Sequence, residues 1–300
     1  MQLVIDALSL GSLYALVALG IGLLFGVVKV VNFAYGDIIT VGAFSLILPS
    51  SQATAMLFAG ALPWPLVVVV VLVAVFLLAM IAEVLVFHPL RTADGATVMI
   101  ATFALGYLIQ NFILSTYGGL PKIVNFWPEL TRSLTFLGAT VPLLQVLTIA
   151  LTAVLLVALM CFLRLSRLGL EIRAASENFE MARCLGIPAN RVTAIAIMIS
   201  ACLAGIVSLL LTVQTGVIGY RMGVPLMIFG FIATVLGGMG SLLGSVIGGL
   251  LVGVITVLAQ VLLPEELRGF RDAVVFFIIF AFLVARPSGL ITSAQRGERI

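Results

Sequence analysis

From Pro65 to Ala82 the chain carries no charged side chain and none that can form a hydrogen bond. As a helix such a run spans about 27 Å at 1.5 Å per residue, close to the thickness of a bilayer's hydrocarbon core. A helix also satisfies its backbone N–H and C=O groups internally, as lipid demands. Similar runs recur, giving nine candidate spans at roughly 3–28, 38–58, 65–87, 97–116, 140–163, 192–214, 224–239, 243–263 and 272–286. The stretch 224–263 is broken only at Gly237-Gly238-Met239-Gly240-Ser241. It reads either as two spans joined by a tight turn or as one span beside a re-entrant hairpin. The last run is short and needs an untilted or locally thinned fit. Composition closes off other classes: 63% of the residues are apolar and 9% charged, where a soluble domain carries roughly 25% charged. Disorder needs the opposite balance. The expected fold class is an all-α, polytopic transmembrane helical bundle of about 8–10 spans, one membrane domain over 1–300.

The scarce charge orients the bundle. The bases are 13 Arg plus Lys29 and Lys122, mostly at the ends of apolar runs. Segment 164–191 is the longest polar stretch and the most basic, with Arg164, Arg167, Arg173, Arg183 and Arg191 against Glu171, Glu177 and Glu180. The positive-inside rule places it in the cytoplasm, with the tail bearing Arg296 and Arg299. Nine spans then put Lys29 and Arg91 inside too, leaving Lys122, Arg132, Arg221, Arg268 and Arg271 outside. A re-entrant 224–239 would break this parity. The opening residues have no basic flank before their apolar run, so a cleaved signal peptide is not expected. Cys161, Cys184 and Cys202 offer neither a disulfide framework nor metal spacing. Net charge +3 comes without a basic patch interleaved with aromatics, so nucleic acid is not an expected partner.

Several chemistries are missing. There is no GxxxxGK[ST], and neither lysine lies in a Gly-rich loop, so this sequence builds no Walker A phosphate cradle. His88 is the only histidine and makes a metal site improbable. Thr40-Val41-Gly42-Ala43-Phe44 matches part of a potassium-channel filter but lacks its second Gly. Ala34-Tyr35-Gly36-Asp37 matches part of an intramembrane aspartyl-protease motif but lacks a second Asp within a span. A stand-alone secondary transporter needs coupling carboxylates or His deep in its spans, for which only Glu83 and Asp37 are candidates.

Polar residues in apolar surroundings mark candidate passage groups, since a mid-bilayer carboxylate costs about 2.5–3.5 kcal/mol. Asp6 and Glu83 lie near span ends and can snorkel. Asn32-Phe33-Ala34-Tyr35-Gly36-Asp37 reads as a turn sunk into the bundle, where Asn32 and Asp37 can satisfy freed backbone groups. Gln110 and Asn111, midway along the fourth span, either bond across helices or line a passage. With Gln214, the translocation set is Asn32, Tyr35, Asp37, Gln110, Asn111 and Gln214. Glycines mark packing: Gly240, Gly244 and Gly248 recur every four residues, with Ser241, Ser245 and Gly249 on the neighbouring row, a spacing that lets helix backbones approach. Such a helix serves simple packing, sliding against a partner, or both.

Residues 171–185 contain neither Gly nor Pro, and Ile172, Ala175, Phe179 and Ala182 make one apolar face. Gly186 and Pro188 then stop the helix. Such a helix lies on the bilayer or docks on a soluble partner. Its mixed Arg/Glu composition favours a protein partner over an anionic membrane.

Here the sequence resembles the membrane subunits of ABC importers. Glu171 to Gly186, with Ala174-Ala175, looks like a divergent form of their coupling loop. Leu10-Gly-Ser-Leu-Tyr-Ala-Leu-Val-Ala-Leu-Gly20, Val31-Asn-Phe-Ala-Tyr-Gly-Asp37, Gly237-Gly-Met-Gly-Ser-Leu-Leu-Gly-Ser-Val-Ile-Gly-Gly249 and Arg286-Pro-Ser-Gly-Leu290 are similar, in order, to segments of the LivH-type branched-chain amino-acid permeases. Tyr35 and Asp37 stand where that family more often has His and Glu. Urea, short amides and aromatic acids therefore stay open as solutes beside branched-chain amino acids.

The resemblance implies a transport subunit, not an enzyme, moving solute into the cytoplasm by alternating access across the bacterial inner membrane. It implies a LivM-like second permease, two cytoplasmic ATPase subunits that use ATP and Mg, and a periplasmic or lipid-anchored solute-binding protein, with no cofactor bound by this chain. Arg173, Ala174, Ala175, Glu177, Glu180 and Gly186 are then the expected ATPase-docking residues.

Overall fold

The computed structural model describes residues 2–50, 63–91, 93–124, 127–136, 139–177, 179–286 and 289–291. Its core is α1 (Gln2–Val28), a helix apolar on every side and buried on nearly every side. Such a helix belongs in the middle of a bundle. Of its most apolar window 89% is buried, against 22–28% for the peripheral helices α3 (Trp64–Ala82), α4 (Gly95–Tyr117) and α5 (Leu143–Leu165). The exposed faces of those three are apolar, with Phe76, Phe103, Leu108 and Val154 among them. Water would not tolerate such faces, but lipid does. The chain is a multi-pass membrane protein.

Of the nine expected spans, the described residues form six helices long and apolar enough to cross: α1, α3 with its following turn, α4, α5, α8 (Ala189–Thr215) and α10 (Leu242–Leu262). Prolines open three of them: Pro63, Pro142 and Pro188 precede α3, α5 and α8, where a missing N–H breaks no helical bond. The other three expected spans are short helices. The run 38–58 gives α2 (Tyr35–Phe44), ten residues long, and its part 51–58 lies outside the described residues. Ten residues reach about 15 Å, half a bilayer core. Nine of the ten side-chain positions are buried, so α2 sits inside the bundle and meets α3, α4, α8 and α9 (Gly223–Gly237). The runs 224–239 and 272–286 give α9 and α11 (Arg271–Ala285), of 15 residues each.

The helix ends sort into two groups. At one end lie the C-terminus of α1, the C-terminus of α5, the following helix α6 (Arg167–Glu177) and the α9–α10 turn, which share a cavity. Arg91 donates there to Asn190 at the start of α8, and Leu290 and Ile291 donate to Leu236 and Gly237 at the end of α9. This end carries Arg91, Arg164, Arg167, Arg173 and Arg191 and is the basic end. At the other end β1 (Lys122–Ile123) pairs antiparallel with β4 (Val217–Ile218) after α8. A hairpin of β2 (Ser133–Phe136) and β3 (Ala139–Pro142) precedes α5. The chain therefore leaves α8 at the far end and returns along α9 to the basic end, so 217–237 crosses and the parity of the loops holds.

Glycine sets the packing of α10. A Cβ at Gly253 would lie 2.2 Å from Gly11 Cα, and one at Gly249 2.4 Å from Ala15 Cα. Cβ atoms at Gly244 and Gly248 would lie 2.3 and 2.0 Å from the carbonyl oxygens of Gly237 and Ala233. One face of α10 thus meets α1 and the other α9, each at backbone distance. Gly240 does not belong to this packing: it lies in the turn before the helix with open space about it.

Candidate functional site

The segment between α1 and α2 is buried, as its sequence predicts. Asn32 Oδ1 accepts from the Ala34 N–H at 3.0 Å, and Thr102 Oγ1 of α4 accepts from the Phe33 N–H at 3.2 Å. Side chains thus replace water as partners for the turn's backbone. Asp37 has a different task. Its Oδ1 accepts from Gln110 Nε2 at 2.9 Å, and Gln110 Oε1 accepts from Arg221 Nε at 3.0 Å. The amide links a buried carboxylate to an exposed guanidinium. The two contacts also fix which way the amide points. Arg221 lies 5.3 Å from the Tyr220 ring centroid, a cation–π contact. Gly106 makes room for the carboxylate: a Cβ there would lie 2.4 Å from Asp37 Oδ2.

Two helix starts meet beside this chain. Thr40 Oγ1 accepts from the Gly223 N–H at 3.1 Å and donates to the Gly36 carbonyl at 3.0 Å. A Cβ on Gly223 would lie 2.0 Å from the Gly36 oxygen, so only glycine lets α9 begin against α2 here. Asp37, in the first turn of α2, sits where the helix dipole favours negative charge.

The six expected passage residues do not form one group. Asp37 and Gln110 are joined, and Arg221 completes them. Tyr35 is a core anchor: its hydroxyl donates to the Ser200 carbonyl at 3.3 Å, over Gly20, where a Cβ would lie 2.0 Å from the phenolic oxygen. Asn32 caps its own turn. Asn111 donates to the Tyr107 carbonyl at 2.7 Å on an exposed face of α4, and Gln214 is exposed near the far end of α8.

The expected helix 171–185 begins earlier and is described as two pieces, α6 and α7 (Phe179–Cys184), either side of residue 178. Ser166 caps α6 by accepting from the Gly169 N–H at 2.8 Å. Gly186 ends α7 with φ +83°, and the Ile187 N–H reaches the Ala182 carbonyl at 3.0 Å, the closing bond of a Schellman turn. Ile172, Ala175 and Ala182 are buried in the chain's own core, so the apolar stripe holds the helices to the bundle. Facing outward are Arg173, Gly186 and the apolar Leu170, Met181 and Leu185, with Ala174 half-buried. The side chains of Glu177 and Glu180 lie outside the described residues.

The bundle thus carries a capped helical segment across its basic end and a polar chain that runs from the buried Asp37 to the exposed Arg221. The family model for the permease component of branched-chain amino acid transport systems matches residues 3–283. The chain belongs to that family. It is 30% identical over 97% of its length to LivH, the high-affinity branched-chain amino acid transport system permease protein of Salmonella typhimurium, and covers 95% of that protein. It is 28% identical to the permease protein BraD of Pseudomonas aeruginosa, covering 97% of this chain and 95% of BraD. PsaBC from Streptococcus pneumoniae in complex with Fab aligns at 15% identity over 97% of this chain and 92% of its own, with a TM-score of 0.47.

This family member also holds an ion pair that its sequence does not announce. Glu83 is not a snorkelling group: it is buried in a widened turn at 83–87 and pairs with Arg91, which also holds Asn190. The widened turn carries the carboxylate around to the guanidinium. Asp6, at the far end, accepts from Gln145 at 2.8 Å, tying α1 to α5. Arg221 and the outward Leu170, Met181 and Leu185 are absent from the expected sets. A base within two residues of Gly219 and Gly223, at the edge of a span, is the signal that marks Arg221 in retrospect.

Proposed function

We propose that the chain is the membrane-spanning permease subunit of an ATP-driven importer of branched-chain amino acids in the bacterial inner membrane, its basic end in the cytoplasm. The observation that carries the reading is the near-full-length alignment with permease proteins of high-affinity branched-chain amino acid transport systems. The sequence holds no phosphate-binding loop, so ATP and its Mg belong to two separate ATPase subunits, which dock on α6 and α7. A LivM-like permease completes the membrane part, and a binding protein delivers solute at the far end. Docking uses Arg173, Ala174, Glu177, Glu180 and Gly186, together with Leu170, Met181 and Leu185. Ala175 serves them from beneath by seating α6.

Closure of the ATPases pushes α6 and α7, and the glycine-lined contacts of α10 with α1 and α9 let the helices rock. The passage runs by Asp37, Gln110 and Arg221. A zwitterionic amino acid matches that trio, its ammonium replacing the amide at the carboxylate and its carboxylate replacing it at the guanidinium.

The test is uptake of labelled leucine in cells whose own branched-chain uptake genes are deleted and which express the chain with its operon partners. Competition by isoleucine and valine, and none by urea, short amides or benzoate, is the expected result. Uptake blocked by urea or benzoate, and not by valine, overturns the solute. Uptake that persists when the ATPase subunits are inactivated overturns the class.

A further inference from the structure

Where α1, α5, α6 and the α9–α10 turn meet, they line a partly open cavity of about 320 Å³ at the basic end. Part of its lining is apolar, with Leu23 and Val27 of α1, Met160 of α5 and Leu243 of α10. The rest includes Arg164 and Arg173, and among the described residues no Asp or Glu lines it. Among the described residues neither guanidinium belongs to an ion pair. Ser241 Oγ accepts from the Gly244 N–H at 3.1 Å to cap α10, which leaves its hydroxyl hydrogen free for the cavity. The first turn of α10 adds N–H groups without helical partners. The space is open at Gly26, where an added Cβ would meet nothing within 4 Å.

Two guanidiniums, a hydroxyl and a helix start, with no carboxylate among the described lining residues, make an anion site of the kind that takes phosphate. A free anion would leave the apolar lining facing water. A ligand with a phosphate at one end and hydrocarbon at the other covers both. We propose that this cavity binds the phosphate group of an anionic phospholipid, held by Arg164 and Arg173, with its hydrocarbon along α1 beside Gly26. Because Arg173 rides on α6 and Arg164 ends α5, an occupied site ties α6 to the bundle.

The test uses the purified full-length chain in nanodiscs of phosphatidylglycerol or of phosphatidylcholine, followed by thermal unfolding and by native mass spectrometry. The expected result is a midpoint several degrees higher in phosphatidylglycerol, with that lipid retained in the spectrum. Arg164→Gln with Arg173→Gln should abolish both, whereas Arg167→Gln, which removes one charge from α6 outside the cavity, should keep both. Gly26→Leu fills the open space without touching charge and should also expel the lipid. It decides the matter if the double Arg variant does not fold. Equal midpoints in the two lipids, or lipid retention unchanged in the Gly26→Leu protein, overturns the proposal. A midpoint raised equally by millimolar inorganic phosphate in phosphatidylcholine, with no lipid retained, assigns the site to soluble phosphate and overturns the lipid.

Discussion

Asp37 is an electrostatic liability inside the bundle, a carboxylate with 2% of its surface exposed. Gln110 and Arg221 make it tolerable, so the three residues should fail differently. Gln110→Leu leaves the carboxylate without its donor and should lower stability by about 1–3 kcal/mol, read as an earlier unfolding midpoint. Asp37→Asn keeps the size and the contact to the amide but loses the charge. Uptake in that variant, and in Arg221→Gln, should fall by about tenfold or more, equivalent to at least about 1.4 kcal/mol, at unchanged membrane abundance. Wild-type uptake in both would place the passage elsewhere. Glu83 and Arg91 make a second test: Arg91→Gln strands a buried carboxylate and should destabilise by about 3 kcal/mol, and adding Glu83→Gln should recover most of that. Asp37 and Gln110 were legible in the sequence because polarity inside an apolar run demands a reason. Their pairing was not, because they stand 73 residues apart on different helices.

At the scale of elements, long apolar runs declare that they are buried but not what covers them. Of the run 38–58, α2 takes the part up to Phe44, and its ten residues are enclosed by four other helices. Burial inside protein and burial in lipid select the same composition, so hydropathy cannot separate them. The glycine spacing of α10 likewise predicted close packing but not which partner each row meets. The structure gives Gly249 and Gly253 to α1, and Gly244 and Gly248 to α9. Gly249→Ala and Gly253→Ala should each destabilise by about 1–3 kcal/mol through overpacking, while Gly26→Ala, which has open space, should leave the unfolding midpoint unchanged. The sequence puts Ile172, Ala175, Phe179 and Ala182 on one face of 171–185, and the tertiary structure buries Ile172, Ala175 and Ala182 in the bundle. Met181→Glu with Leu185→Glu should therefore leave the permease folded and at least halve co-purification of the ATPase. Unchanged co-purification would move the docking surface off α7.

At the scale of the molecule, helix ends and charge agree. Among the described residues assigned to the cytoplasm, Arg91, Arg164, Arg167, Arg173 and Arg191 gather at the end shared by α1, α5 and α9, and Lys122, Arg268 and Arg271 lie at the other. This orientation can be read with thiol chemistry, because Cys184 is exposed at the basic end. A variant keeping only Cys184 should react with a membrane-impermeant maleimide in inverted vesicles and not in intact spheroplasts. Arg268→Cys in a cysteine-free background should do the reverse. The opposite pattern would invert the topology.

The sequence by itself determined that the chain lives in a membrane, which end is basic, and which family it resembles. Each of these follows from local quantities: the length of uncharged runs, where the few bases fall, and motifs in order. Tertiary structure alone decided that α2 is enclosed, that Tyr35 is an anchor, that Arg221 joins Asp37 through Gln110, and that α6 and α7 turn Ile172, Ala175 and Ala182 toward their own bundle. Those outcomes depend on which faces meet across many residues of chain. In a protein apolar throughout, composition looks the same whether a face meets lipid or another helix.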